Sequence, residues 1–212
     1  PTHGLGPVCQ YMGINRGDRF ETLVSMSTAQ VGLSLAAAEK YGKNSPQAKM
    51  RYALGDMNTT LIRTYRGRTL MVQHDTTSPR PYSRINLISG TKGILCDYPL
   101  RVALEPKAHQ WLPDKELAEL KAKYTHPLWD KNGETAKTVG GHGGMDYLMD
   151  LRLCHCLQQG LPLDIDVYDT ALWSSLVELT ERSVLSDGAP VKVPDFTRGA
   201  WKMSDPLEIV SM

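Results

Sequence analysis

Residues 73–93 read QHDTTSPRPYSRINLISGTKG, two strand-like runs that flank a loop with two prolines. Each proline fixes φ, lacks a backbone donor, and disfavours helical geometry in the residue before it. Pro79 and Pro81 therefore predict a stiff, extended loop, which presents Arg80 and Tyr82 on its surface.

The same stretch also predicts a β-hairpin. Runs 82–89 and 93–98 have the composition of strands and are separated by the short, glycine-containing connection 90–92. Because side chains alternate along a strand, Tyr82 and Arg84 would share one polar face. We expect that face to be available to a ligand.

Outward from this hairpin, periodicity and turn residues predict an α+β fold. Strands are predicted at 19–27, 57–65, 68–76 and 101–105, helices at 28–41, 113–123, 145–158 and 166–185, and irregular segments at 1–18 and 129–144. Consecutive hairpins followed by amphipathic helices favour an open, mostly antiparallel sheet with helices packed on one face. The other face would then meet a partner subunit or another domain. For two copies of the chain, we expect contact through strand residues such as Ile62 and Thr64.

Composition limits the classes of partner. The 212 residues are 41% hydrophobic and 22% charged, with 24 Lys and Arg against 23 Asp and Glu. A net charge of +1 gives no electrostatic basis for binding nucleic acid or an anionic membrane surface. No apolar run approaches the roughly 18 residues that span a bilayer. We expect neither nucleic acid nor a membrane among the partners.

The four cysteines lack the spacing of a disulfide framework. Cys154 and Cys156 flank one histidine, but zinc-binding cysteine pairs normally have two to four residues between them. Cys154 aligns with Leu148 and Leu151 on one helical face, which favours packed thiols over a metal site.

Sequence signatures of catalysis are few. The chain has no P-loop, G-x-S-x-G or H-E-x-x-H sequence. Residues 140–144 read GGHGG and follow a predicted loop rather than a strand, so they indicate a tight turn more than a phosphate cradle. His142 in that turn remains a candidate for the lining of a cleft.

Seven ordered blocks of the sequence carry a family resemblance: PTHGLGP at 1–7, INRGDRF at 14–20, LVSMS at 23–27, GDMNTTLIRT at 55–64, QHDTTSPRPYSRI at 73–85, SGTKG at 89–93 and GGHGGMDYLM at 140–149. They closely resemble the NAD-dependent glycosidases of glycoside hydrolase family 109, whose best-known activity is α-N-acetylgalactosaminidase. The resemblance implies the open-sheet carboxyl-terminal domain of the glucose-fructose oxidoreductase superfamily. It assigns residues 1–212 to one substrate-binding and oligomerisation domain, with the Rossmann domain absent from this chain.

The resemblance also implies a mechanism. NAD, bound by the missing amino-terminal domain, would oxidise C3 of the sugar, after which elimination, water addition and reduction complete the hydrolysis. The implied partners are a carbohydrate substrate, the Rossmann domain and further copies of the chain. Two alternatives remain, a non-catalytic sheet-forming or sugar-binding module and a domain of a plain sugar dehydrogenase. Both a cytoplasmic and an exported location remain open.

Site residues are carried over from the same resemblance. The family's sugar-contacting residues match Pro1, Thr2, His3 and Tyr82. The alternatives are a turn histidine bonded to backbone for His3 and a half-buried strand tyrosine for Tyr82. Weaker candidates for a cleft are Arg80, Arg84, His74 and His142. No catalytic, cofactor-binding or metal-binding residue is assigned within the chain.

Overall fold

The computed structural model describes residues 2–210, so the expected sugar contact at Pro1 lies outside the described residues. Its contacts divide the chain into two compact units. The first unit comprises the described residues up to Pro81 together with Ile165–Leu207. The second comprises Tyr82–Asp164 and the described residues from Glu208 onwards. That residues 1–212 serve as one functional domain stays a prediction.

The described residues form seven strands and seven α-helices, which confirms the α+β class. The strands are β1 Phe20–Ser27, β2 Met57–Thr64, β3 Thr69–Asp75, β4 Leu87–Gly90, β5 Gly93–Cys96, β6 Arg101–Leu104 and β7 Val191–Lys192. The helices are α1 Thr2–Tyr11, α2 Gly32–Tyr41, α3 Pro46–Lys49, α4 Asp114–Lys123, α5 Pro127–Val139, α6 Met145–Gln159 and α7 Val167–Leu185.

The first unit is built on a four-stranded sheet of order β3-β2-β1-β7, in which every pair is antiparallel. The predicted hairpin between β2 and β3 is confirmed, with Gly67 at φ 80° in its turn. Helix α7 packs on β1. Buried side chains of sheet and helix form the core between them, among them Phe20, Leu23, Ile62, Leu172 and Leu176.

The side of the sheet away from α7 carries different residues from those expected. Ile62 and Thr64 are fully buried in the core, so their expected role on an open face is wrong. Alternation places Leu61 on the opposite face, where it pairs with Val24 on one side and Met71 on the other. Leu61 and Met71 are 52% and 64% exposed, so an apolar row crosses three strands.

The expected irregular opening is instead helix α1, although Pro7 lies inside it. The helix buries Leu5, Gly6 and Cys9 and packs against α7. A Cβ added at Gly6 would lie 3.3 Å from the Trp173 ring, so glycine permits the close approach of the two helices. Burial of this face stabilises the helix by more than the hydrogen bond lost at Pro7 destabilises it. Helix propensity describes the isolated segment and therefore does not include this burial.

The second unit contains a three-stranded antiparallel sheet of order β4-β5-β6. The predicted hairpin is confirmed, but the expectation that residues 82–86 belong to its first strand is wrong. The last ladder contact is the Asp97 amide donating to the Asn86 carbonyl at 3.0 Å. Ile85 then adopts φ 48°, outside the range of a strand, so alternation does not set the faces of Tyr82 and Arg84.

Helix α5 occupies most of the segment expected to be a loop at 129–144. Pro127 stands at the first helical position, and the His126 side chain accepts a hydrogen bond from the Leu128 amide at 3.2 Å. Proline at that position is a known start signal, because its missing donor would be unpaired there anyway. The sequence pattern does not predict this helix, because most of its residues are polar and only one narrow face is buried.

Helix α6 ends at Gly160 with φ 64°, as predicted. Cys156 is buried on it, whereas Cys154 is exposed, so the packed-thiol interpretation is correct for Cys156 alone. In the first unit, burial raises the pKa of the Cys9 thiol to about 12 and keeps it neutral.

Candidate functional site

The loop that follows β3 is held by an acidic residue at the end of the strand. The Asp75 carboxylate accepts a hydrogen bond from the Ser78 amide at 3.0 Å and lies 3.2 Å from the Arg80 guanidinium. The Ser78 amide, more than the Arg80 charge, keeps the pKa of Asp75 below its usual value. Arg80 is thus engaged with Asp75, and its expected place in a cleft stays a prediction.

A second carboxylate holds the start of α2. Asp56 accepts hydrogen bonds from the amides of Val31 and Gly32, the closer at 2.9 Å, and its own carbonyl accepts from Thr76. These bonds explain why the helix predicted at 28–41 begins four residues later, at Gly32. A Cβ at Gly32 would lie 2.6 Å from the Thr77 side chain, so helix and loop are in close contact.

Tyr82 is presented on the surface of the second unit. Its ring is 72% exposed and makes an edge contact with Tyr98 at a centroid distance of 5.9 Å. The Arg84 Nε donates a hydrogen bond to the Tyr82 hydroxyl at 2.9 Å, and this bond is the main cause of a raised Arg84 pKa. Tyr82 is neither half-buried nor on a strand, so that alternative is wrong.

Thr2 and His3 are exposed in the first turn of α1. The turn itself belongs to the first unit, since Leu5 further along the helix enters its core. Tyr82 belongs to the second unit, and that these residues form one sugar site stays a prediction. His74 is exposed on β3, opposite Asn58.

His142 is the histidine of a turn with unusual backbone geometry. All four glycines of 140–144 have positive φ, and His142 itself has φ 46°. Its Nδ1 lies 2.9 Å from the Asp146 carboxylate in the first turn of α6, and the imidazole is 76% exposed. An ionised carboxylate only accepts hydrogen bonds, so Nδ1 donates and Nε2 is left to take or give a proton.

Asp146 is the partner of His142 that sequence reasoning missed, because the turn between them is not helical and helical spacing does not apply to it. A groove of about 420 Å³ borders Asp146 and is lined mainly by apolar groups, including Val139, Tyr147 and Leu151. An imidazole fixed by a carboxylate that lines an apolar groove has the arrangement of a general acid or base.

The glycine-rich turn does not fit a dinucleotide. A Cβ at Gly141 would lie 2.8 Å from the Asp146 carboxylate, so a negative charge occupies the space next to the turn where a pyrophosphate would bind. The prediction of a tight turn rather than a phosphate cradle agrees with this geometry.

The INRGDRF block proves to be a scaffold. Asp18 is fully buried and accepts hydrogen bonds from the amides of Arg19 and Arg66 and from the Arg68 guanidinium at 2.7 Å. Burial alone would raise the Asp18 pKa, but hydrogen bonds, the strongest from Thr64, bring it below its usual value. Asp18 thereby joins the start of β1 to the turn between β2 and β3.

Arg16 of the same block binds the first turn of α7. Its guanidinium donates two hydrogen bonds to Asp169, at 3.0 and 2.8 Å, and Asn15 donates a third. Asp169 also completes the capping box begun by Asp166, the predicted cap. The block therefore orients α7 over the sheet.

Two features are absent from residues 2–210. No helix there is long and apolar enough to cross a bilayer. Within the same residues, no group of three His, Cys, Asp or Glu side chains is arranged to hold a metal ion.

Comparison with known proteins identifies the family. The family described as "Glycosyl hydrolase 109, C-terminal domain" matches residues 1–203. A glycosyl hydrolase family 109 protein of Shewanella amazonensis is 51% identical over 214 residues, covering 99% of this chain and 47% of that protein. A Bacteroides fragilis protein named alpha-N-acetylgalactosaminidase is 51% identical over 203 residues, covering 95% of this chain and 48% of that protein. The chain thus spans about half the length of these relatives.

Solved structures share the fold. Levoglucosan dehydrogenase, in complex with NADH and levoglucosan, superposes with a TM-score of 0.52 at 14% identity, covering 84% of this chain and 45% of that chain. An oxidoreductase domain protein from Kribbella flavida gives a TM-score of 0.50 at 15% identity, with the same coverage. At such identities the likeness concerns the fold alone, which is the one that the resemblance implied. This chain belongs to glycosyl hydrolase family 109, as its carboxyl-terminal domain.

Proposed function

We propose that this chain is the substrate-binding half of a longer NAD-dependent glycosidase that hydrolyses N-acetylgalactosaminides or related glycosides. Identity of 51% to a protein named alpha-N-acetylgalactosaminidase supports the substrate class. A fold shared with a dehydrogenase solved with NADH supports the cofactor. The observation that carries the proposal is that Tyr82 and His142, both exposed, lie in blocks that resemble the family.

NAD would be held outside the described residues. The one glycine-rich turn that opens a helix in residues 2–210 is occupied by the Asp146 carboxylate, and that charge opposes a pyrophosphate. A Rossmann domain in the remainder of the protein is the partner that meets this need.

Within this chain, Tyr82 and His142 would have different roles. The Tyr82 hydroxyl would donate a hydrogen bond to a sugar oxygen. Sugar contacts are also proposed for Thr2 and His3, which are exposed on the first unit. His142 would transfer a proton through Nε2, because Asp146 fixes its Nδ1 proton. The groove that Asp146 lines would offer apolar surface to the group that leaves the sugar.

Hydrolysis of an aryl α-N-acetylgalactosaminide by the full-length protein in deuterated water tests the proposal. We expect release of free sugar that requires NAD and carries deuterium at C2, since elimination passes through loss of that hydrogen. Accumulation of reduced cofactor without release of the aryl group would identify a plain sugar dehydrogenase. Binding of the sugar without turnover would identify a non-catalytic module.

A further inference from the structure

Tyr82 is held by two neighbours of different chemistry. Arg84 reaches its hydroxyl with a hydrogen bond of 2.9 Å, and Tyr98 supports its ring from the side. The residue between Tyr82 and Arg84 also stabilises this turn, since the Ser83 hydroxyl accepts from the Ile85 amide at 2.9 Å. A tyrosine that is 72% exposed would otherwise sample several rotamers.

The bond from Arg84 also determines what the phenol can do. A guanidinium has donors only, so the Tyr82 oxygen must act as the acceptor in this pair. With an acceptor site of the oxygen already used, the phenol is favoured as a donor towards a ligand. An oxygen-rich ligand such as a sugar offers acceptors for that proton.

We propose that Arg84 is a positioning residue, which orients the Tyr82 hydroxyl as a hydrogen-bond donor to the sugar and does not itself contact the substrate. This role rests on the proposed function, in which Tyr82 binds the sugar. It differs from the expectation that Arg84 lines the cleft directly, because the effect of Arg84 then depends on the presence of the Tyr82 hydroxyl.

A double-mutant cycle in the full-length protein with NAD tests this dependence, with an aryl N-acetylgalactosaminide as substrate. Tyr82→Phe and Arg84→Met should each raise KM about three- to tenfold with kcat within about twofold, the effect of one ordinary hydrogen bond. The double variant should have the KM of Tyr82→Phe alone. Arg84→Lys, which keeps a donor and the charge, should recover part of the loss.

Lys92→Met is the matched control for loss of a surface cation in the same unit, because Lys92 lies in the turn between β4 and β5. Its KM should stay within about twofold of the unmodified protein. Should Arg84→Met fold poorly, Arg84→Gln replaces it with the same expected result. Melting temperatures of all variants separate loss of fold from loss of orientation.

The outcomes are distinguishable. Unchanged KM in Tyr82→Phe removes Tyr82 from the sugar site and overturns both the proposed site and this inference. A raised KM in Tyr82→Phe with a silent Arg84→Met overturns the inference alone. If the free-energy losses of the two single variants add up in the double variant, Arg84 contacts the sugar independently of Tyr82. That result would also overturn the inference.

Discussion

At the scale of single residues, some of the blocks that resemble the family stabilise the fold, whereas others present side chains at the surface. Asp18 and Arg16 in INRGDRF are engaged with Arg68 and Asp169 inside the first unit. Tyr82 and His142 instead present their polar atoms at the surface. A charged residue in a family motif is thus not by itself evidence for a ligand contact.

Asp18→Asn should strongly destabilise the chain. The carboxylate is fully buried and accepts hydrogen bonds from Arg68 and from two backbone amides. The NH₂ group of asparagine would face the Arg68 guanidinium as a second donor, so the buried NH₂ group would be unpaired and Arg68 would lose its anionic partner. We expect a loss of about 2 to 4 kcal/mol in the free energy of unfolding, measured by urea titration. Glu21→Gln, in an exposed pair 3.9 Å from Arg63, should change it by less than about 0.5 kcal/mol.

The pH dependence gives Asp18 a second readout. Its pKa is lowered in the folded state, so its stabilising contribution is present above the unfolded pKa of about 3.9 and is lost as pH falls through the folded pKa. The unmodified chain should therefore lose stability below about pH 4, more steeply than Asp18→Asn. If the free energy of unfolding fell equally steeply with pH in the unmodified chain and in Asp18→Asn, this role of Asp18 would be contradicted.

His142→Gln should lower kcat of the full-length protein by about 10²- to 10⁴-fold, the usual effect of removing a general acid or base. Binding should change little, because in the proposed role the side chain transfers a proton, and Asp146 rather than His142 lines the groove. His155→Gln, on the helix α6 that follows this turn, is the control, and its kcat should match that of the unmodified protein. Steady-state kinetics on an aryl glycoside decides, and an active His142→Gln would exclude proton transfer by this residue.

At the scale of elements, close helix packing rather than helix propensity determines α1. Gly4 and Gly6 both lie in that helix, yet a Cβ has nothing within 4 Å at Gly4 and meets Trp173 at 3.3 Å at Gly6. Gly6→Val should therefore cost about 1 to 3 kcal/mol by overpacking. Gly4→Val should be neutral or slightly stabilising, because any residue other than proline improves on glycine in a helix. Urea titration measures the free energy of unfolding of both variants. Equal effects would mean that α1 can move away from α7 at no cost.

At the scale of the whole molecule, we propose that two copies of the chain meet through the open face of the first sheet. The row Val24, Leu61 and Met71 crosses three strands and stays exposed on Leu61 and Met71. A second copy with the same row would cover it by a self-complementary contact. Sedimentation at micromolar concentration should show a dimer or larger species, and Leu61→Lys should yield monomers. Leu157→Lys, exposed on α6, should leave assembly unchanged. A strictly monomeric unmodified chain would mean that another domain covers the sheet.

The isolated chain should bind no NAD. A dinucleotide requires a glycine-rich strand-to-helix turn whose amides meet the pyrophosphate, and the turn at 140–144 faces the Asp146 carboxylate instead. Calorimetric titration to sub-millimolar NAD should show no heat of binding, whereas the full-length protein should bind. An Asp146→Asn chain tests whether the charge alone prevents binding. Measurable affinity in the unmodified chain would contradict the proposed division between two domains.

The sequence by itself determined the fold class, the two hairpins and the termini of α6 and α7, because alternation, glycine turns and caps act within a few residues. It also determined the family, since the ordered blocks are specific. Only the tertiary structure decided that residues 2–11 form a helix, that Ile62 faces inward, and that residues 82–86 leave the strand. Those outcomes depend on which surfaces bury one another. The pairing of Tyr82 with Arg84 and of His142 with Asp146 likewise depends on how turns orient side chains, which no periodicity records.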